Sequence, residues 1–293
     1  MVEKRLFKFG KGSSALIIPK KWVEQKGLDF SSPVYLQEND SGDLTISAVE
    51  GTKIEREEDA GSLSHTLLSR VIGFHYIYGT TRLRLYSKKG FTQKQAEEIQ
   101  EEIKRHYIGF EVVNQNQFEL MIEDISGARE FAIDRTLSRL KYLILEEFSS
   151  AISGDDDSLK KSEELVDRFY LFGIRHLNLN RPANHFAYLR IVQMLELISD
   201  MLLMSTKVKS PACLALLKEI KTQFEMSIDA LNGKEEVITK SLNFGESIIR
   251  KIDLEKLTDH QKMIFKGLTW STVAIAEVGI VWRKSKTEDL LGE

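Results

Sequence analysis

Between residue 125 and the C-terminus only Pro182 and Pro211 interrupt the chain, and apolar residues return there at three- and four-residue spacing. That combination demands long helices, because proline is the residue that most surely breaks one and a 3.6-residue repeat is buried only by a helix. The same stretch also repeats itself. Ala151-Ile152-Ser153-Gly154, followed by Asp155-Asp156-Asp157 and Lys161-Ser162, returns 79 residues later (151 to 230) as Ala230-Leu231-Asn232-Gly233, Lys234-Glu235-Glu236 and Lys240-Ser241. Each copy reads as three helices, with Pro182 inside the first copy and Pro211 dividing the two. Residues 126–293 are therefore expected to be all-α, a pair of antiparallel three-helix bundles packed side by side.

The N-terminal part has a different period. Residues 5–9 predict a strand, Gly10-Lys11-Gly12-Ser13-Ser14 a loop and residues 15–18 a second strand. Pro19 fits the first position of a helix over 20–26, with Gly27 closing it. Residues 34–37 and 44–49 predict two more strands around the turn Asn39-Asp40-Ser41-Gly42-Asp43. So small a sheet has hardly any core of its own and needs a partner. Residues 50–59 are polar and acid-rich and predict a linker. Beyond them, residues 63–74 predict a helix and 82–86 a strand. Thr92-Gln93-Lys94-Gln95 is a capping-box pattern opening a helix to about 106, and 110–113 with 118–122 predict a hairpin. The expected fold is thus a multidomain α+β chain: a sheet domain over 1–50, a small α/β connector over 51–125 and a helical domain over 126–293.

Composition narrows the function classes. With 293 residues, 42% hydrophobic and 29% charged, the chain is neither disordered nor a membrane bundle. The apolar stretch at 273–282 is interrupted by Glu277 and is too short for a bilayer of about 30 Å, so no membrane insertion is expected. Cys213 is the only cysteine and the Met1 end lacks the apolar segment of a signal peptide, which points to the cytoplasm. Phosphate-loop, dinucleotide and nucleophile-elbow motifs are all missing, and the six histidines form no ligand spacing, so the expectation is a protein that is not an enzyme.

Net charge −3 hides a local asymmetry. Residues 1–26 hold seven basic side chains against two acids, and residues 27–59 hold two against nine. Lys4, Arg5 and Lys8 on a strand, Lys11 with Ser13 and Ser14 in a loop, and Lys20 and Lys21 at a helix start would line a strip suited to DNA phosphates and one groove. The competing reading is a set of solvated lysines that keep an edge-rich sheet from aggregating. In the helical part, Glu163 and Asp167 are four residues apart, as are Glu196 and Asp200, and each spacing sets two carboxylates on one helix face. Two such pairs on neighbouring helices would converge on a divalent or iron-type cation, since clustered carboxylates repel unless neutralised. The competing reading is a polar stripe paired with Arg190 or Lys207. In the second copy Glu246 takes the place of Asp167, and Glu277 that of Glu196, but Val281 falls where the second acid of that pair is due. Glu277 is a lone acid in an apolar run and is expected to be paired or metal-bound if buried.

Residues 5–23, running Arg5-Leu6-Phe7-Lys8-Phe9-Gly10-Lys11-Gly12-Ser13-Ser14-Ala15-Leu16-Ile17-Ile18-Pro19-Lys20-Lys21-Trp22-Val23 and continuing to Gly27-Leu28, resemble the AbrB/SpoVT/MazE-type swapped-hairpin DNA-binding domain. That resemblance implies an intertwined homodimer, a β barrel shared by two copies, whose basic residues contact DNA. The helical region resembles the PhoU family of phosphate-uptake regulators, on the duplicated three-helix unit and on Leu195-Glu196-Leu197-Ile198-Ser199-Asp200, which is similar to that family's Glu-x-x-x-Asp metal motif. Residues 104–112, Lys104-Arg105-His106-Tyr107-Ile108-Gly109-Phe110-Glu111-Val112, are similar to archaeal proteins in which the two domains are fused. Together they imply a DNA-binding regulator of phosphate uptake whose helical domain senses a metal or phosphate, or meets the ATPase subunit of a phosphate transporter. The alternatives are an adaptor whose N-terminal domain only dimerises and, with no nucleophile-base pair beside the acids, a carboxylate-bridged metal hydrolase.

Overall fold

The computed structural model describes the chain except residues 1–3, 39–43, 49–53, 127–132, 181, 183, 208–209 and 291–293, and the side chains of residues 37, 38, 45 and 283–290 are likewise left aside. The turn expected at 39–43 lies outside the described residues. The chain is α+β and divides into two compact units, residues 1–53 and 54–293.

The first unit contains two separate antiparallel ribbons and one short helix. β1 (Phe7–Phe9) pairs with β2 (Ser13–Ala15), and β3 (Tyr35–Glu38) with β4 (Leu44–Ser47); neither ribbon closes into a barrel. The second strand begins earlier than the sequence suggests. Gly10 turns at φ +67°, where a side chain would be strained, so pairing resumes at once with Phe9 opposite Ser13 and Lys8 opposite Ser14. Ser13 and Ser14 are strand residues, and residues 16–18 carry no regular structure. α1 (Lys20–Gln25) has Pro19 as its N-cap, one position before the expected one, and Gly27 past its end at φ +65°.

The second unit opens with a four-stranded sheet. β5 (Glu55–Asp59) runs parallel to β6 (Arg82–Tyr86) through the crossover helix α2 (His65–Ile77). After α3 (Gln93–His106), β7 (Phe110–Gln115) and β8 (Glu119–Asp124) complete the order β5-β6-β8-β7. β5 overturns the expected linker. Its acids make an edge strand because Arg82 reaches Glu55 and Glu123 while Arg84 reaches Glu57 and Glu119, so cross-strand charge replaces apolar pattern. α3 starts on the expected capping box, Thr92 and Gln95 satisfying each other's backbone N–H groups. The apolar side chains of α2, α3 and β6–β8 form one core, with Ile72, Tyr76, Leu83, Leu85 and Leu120 fully buried.

Six helices follow: α4 (Ile133–Ser153), α5 (Asp156–Asn180), α6 (His185–Ser205), α7 (Pro211–Ala230), α8 (Glu235–Leu254) and α9 (Asp259–Leu290). α4, α5 and α6 pack on one another, as do α7, α8 and α9; α6 against α9 and α4 against α7 join the two groups around a common core. The duplication is visible in the packing. Glu147-Phe148 on α4 and Gln223-Phe224 on α7 are all fully buried, and the two phenylalanine rings meet with centroids 5.7 Å apart. In these first helices the buried positions match at a spacing of 76 residues (147 to 223). The second helices match at 79, since α5 begins at Asp156 and α8 at Glu235, so the two copies differ by about one turn at the connecting loop.

α9 is longer than its apolar run suggests. Its segment Asp259–Trp282 would pass for a membrane span by length and composition, but 67% of the apolar window is buried among the other helices. One side chain ties helices to sheet: Arg175 of α5, fully buried, donates to the carbonyls of Tyr76 and Thr80 and to Asp124, between the rings of Tyr76 and Phe110 at 4.9 and 5.0 Å.

Candidate functional site

The i, i+4 spacing of Glu163 with Asp167 on α5 and of Glu196 with Asp200 on α6 sets each pair on one helix face. Gly173 lies against Val192 while Asp167 faces Asp200 and Glu196, so the two helices run antiparallel and the pairs come together. Glu163, Asp167 and Glu196 are half-buried and Asp200 is exposed. Among the described residues none of the four takes part in a hydrogen bond or an ion pair.

The electrostatics register this crowding. Burial first, then the negative charge of Asp200, Asp167 and Glu163, pushes the Glu196 carboxyl up to about 7. Burial followed by Asp167 and Asp200 raises Glu163, and burial followed by Asp200 raises Asp167. Asp200 rises through burial.

Behind them stands an acid the sequence reading passed over. Glu147 of α4 is fully buried; Ser199 donates to its Oε1 at 2.7 Å, and its Oε2 has no partner. Burial, and after it the charges of Glu163, Asp167 and Asp200, pushes this carboxyl up to about 8 against the opposing Ser199 bond. A signal was present in the sequence: 140, 144, 147 and 151 follow the helical period of the α4 core, and only Glu147 among them is charged. The equivalent side chain in the second copy is the amide Gln223, which donates to Ser227 and Ser241.

The five carboxyls offer oxygen donors only, the set that hard cations prefer, and the orphaned Glu147 oxygen lacks a positive partner. The donor chemistry fits a divalent or iron-type cation. The spacing is wider than coordination allows: among the described residues no three His, Cys, Asp or Glu groups stand close enough to hold one ion. A cation would have to draw the side chains inward by rotation.

Among the described residues the second copy shows no such face. Glu246 is exposed on α8, 3.6 Å from Arg250, and Glu277 is exposed on α9. Glu277 needs neither partner nor metal, because Ala274, Ile275, Ala276 and Val278 take the buried positions around it and leave 277 at the solvent-facing phase. Among the described residues the partners considered for the acids, Arg190 and Lys207, make no ion pair with them. Side chains of α3 act on them instead: His106 lowers Asp167, and Arg105, paired with Glu164, lowers Glu163. Between α2, α3 and α5 lies a groove of about 680 Å³ that has Asp167, His106 and Glu102 on its walls.

In the N-terminal unit Lys4, Arg5, Lys8, Lys11, Ser13, Ser14, Lys20 and Lys21 are all exposed. Lys8 and Ser14 are cross-strand neighbours, and Lys20 lies 3.6 Å from Glu24, both well exposed. No described residue of this unit is buried, and Phe7, Phe9 and Leu36 are 52, 71 and 62% exposed. No protein-family model, curated protein or solved structure matches the chain.

Proposed function

We propose that this chain is a cytoplasmic, non-enzymatic DNA-binding regulator of phosphate uptake. In this reading the N-terminal unit dimerises into a swapped-hairpin barrel on DNA, and two three-helix bundles form a PhoU-like receiver. The carrying observation is the N-terminal unit with no buried residue among those described: its ribbons leave large apolar side chains exposed beside eight exposed basic and hydroxyl side chains. Each such phenylalanine or leucine gains roughly 1.5–3 kcal/mol on full burial, so a second copy laid over these ribbons supplies what one copy lacks. The pairing would join two sets of Lys4, Arg5, Lys8, Lys11, Lys20 and Lys21 on one surface, and Ser13 and Ser14 would donate to phosphate oxygens.

The acid face supports the sensing half. Glu163, Asp167, Glu196 and Asp200, with Glu147 behind them, repel one another until a divalent or iron-type cation or protons arrive. Neutralisation would let α5 and α6 close, and α5 is anchored to the sheet by Arg175. The ATPase subunit of a phosphate transporter is the partner proposed for the receiver.

Gel-shift titration against the chain's own upstream DNA, at two salt concentrations, tests the reading. Binding is expected at low salt, with the logarithmic salt slope falling by about 5 when Lys8, Lys11 and Lys20 are changed to alanine in both copies, if all six contact phosphate. Dimerisation with no DNA binding at low salt would overturn it in favour of an adaptor whose N-terminal unit only dimerises.

A further inference from the structure

Away from the acid face, the junction of the two helix groups encloses a cleft of about 590 Å³ bounded by α4, α6, α9 and the end of α7. That volume lies within the range of roughly 300–1,000 Å³ typical of small-molecule sites. We propose that this cleft binds an adenine mononucleotide.

The chemistry of its walls carries the assignment. Leu137, Ile191 and Ile228 make an apolar floor, and at one end Tyr188 and Trp282 meet edge to face, with centroids 4.8 Å apart and planes at 74°. Aromatic rings beside an apolar floor favour a flat heteroaromatic body. Asp134 stands at the same end, accepting from the Tyr188 hydroxyl at 3.4 Å, and its carboxylate can accept from an exocyclic amine. Asn184 occupies the N-cap position of α6 without capping it, which leaves its carboxamide to face the cleft. A carboxamide pairs a donor with an acceptor, the complement of the amino and ring-nitrogen edge of adenine.

The cation lies at the other end. Lys141 is two helical turns from Asp134 along the same stripe of α4, about 10 Å by helix rise, and Asn232 closes the cleft just past α7. The contacts 134 to 188 and 147 to 199 show that α4 and α6 run parallel, so Lys141 is level with Leu195, away from the aromatic pair. A base against Trp282 thus sets a phosphate within reach of Lys141. Among the described residues the side chains of Lys141, Asn184 and Asn232 make no hydrogen bond, so a ligand breaks none by engaging them. The site draws on neither the acid face nor the DNA-binding reading.

Calorimetric titration of the full chain with adenosine monophosphate, adenosine and inorganic phosphate tests the assignment. The monophosphate should bind saturably, one per chain, and adenosine roughly tenfold or more weaker, the worth of one charge-assisted hydrogen bond. Lys141→Gln should bring the monophosphate down to the level of adenosine and leave adenosine itself unchanged, and Trp282→Leu should weaken both. Should Trp282→Leu lower helix content, Ser138→Trp, which blocks the mouth from an exposed position, should abolish binding with the circular dichroism intact. No saturable binding, equal binding of monophosphate and adenosine, binding of phosphate alone as tightly as the monophosphate, or undiminished binding in the Lys141 and Ser138 variants would each overturn the proposal.

Discussion

Glu147 concentrates the electrostatics of the helical unit in one side chain. A carboxyl with no solvent contact, one hydroxyl donor and three acids in range holds its proton to about 8, whereas an unfolded glutamate releases it near 4.5. Between those values the folded chain binds the extra proton. Its contribution to stability is complete below about pH 4.5 and is lost as pH rises to about 8, at roughly 1.4 kcal/mol per unit within that window. Glu196, raised to about 7, adds a slope of the same sign. The metal-free chain should therefore melt at progressively lower temperature from pH 5 to 8. Glu147→Gln, copying Gln223 of the second copy, should flatten that fall and raise the midpoint at pH 8. A midpoint that climbs with pH, or a Gln variant with an unaltered slope, would contradict this account of the site.

α5 is the element that connects the parts of residues 54–293. One end carries Glu163 and Asp167, and the other inserts Arg175 between Tyr76 and Phe110, with Asn178 donating to the carbonyl of Ile77. Removing the guanidinium takes the charged donor from Asp124, which keeps only Ser126, from the Tyr76 carbonyl, which keeps only the Gly79 N–H, and from the Thr80 carbonyl. Arg175→Met should cost about 3–5 kcal/mol in denaturant unfolding. Adding Asp124→Asn should recover part of that loss and no more, because the Thr80 carbonyl stays without its donor while that of Tyr76 keeps only the Gly79 N–H. A variant within 1 kcal/mol of the parent, a threshold set by ordinary surface substitutions of about 0.5 kcal/mol, would show that α5 is held by packing alone.

At the scale of the whole molecule, residues 54–293 contain every described buried side chain and both main cores, while residues 1–53 contain none. Deleting residues 1–53 should leave the helical dichroism and the melting midpoint unchanged within about 2 °C, a shift equivalent to roughly 0.5–1 kcal/mol for a chain of this size. The same deletion should turn a dimer into a monomer in analytical ultracentrifugation. A truncated chain that remains dimeric would move the dimer interface to the helical unit.

The sequence by itself determined the elements whose signal is local. Low proline content and apolar period marked the long helices, Thr92 with Gln95 opened α3, and i, i+4 spacing placed Glu163 with Asp167 and Glu196 with Asp200 on single faces. Each follows from residues within one or two turns, the range over which backbone geometry alone decides which side chains share a face. What depended on distant residues only the tertiary structure decided. β5 was misread as linker because the arginines that neutralise its acids come from β6, some 27 residues on. Whether Glu277 is buried stays open in the sequence, and only the packing of its apolar neighbours leaves it exposed. Glu147 became a strained carboxyl only when α5 and α6 brought three further charges against it, because burial and Coulomb repulsion depend on what surrounds a group in space and not on what precedes it in the chain.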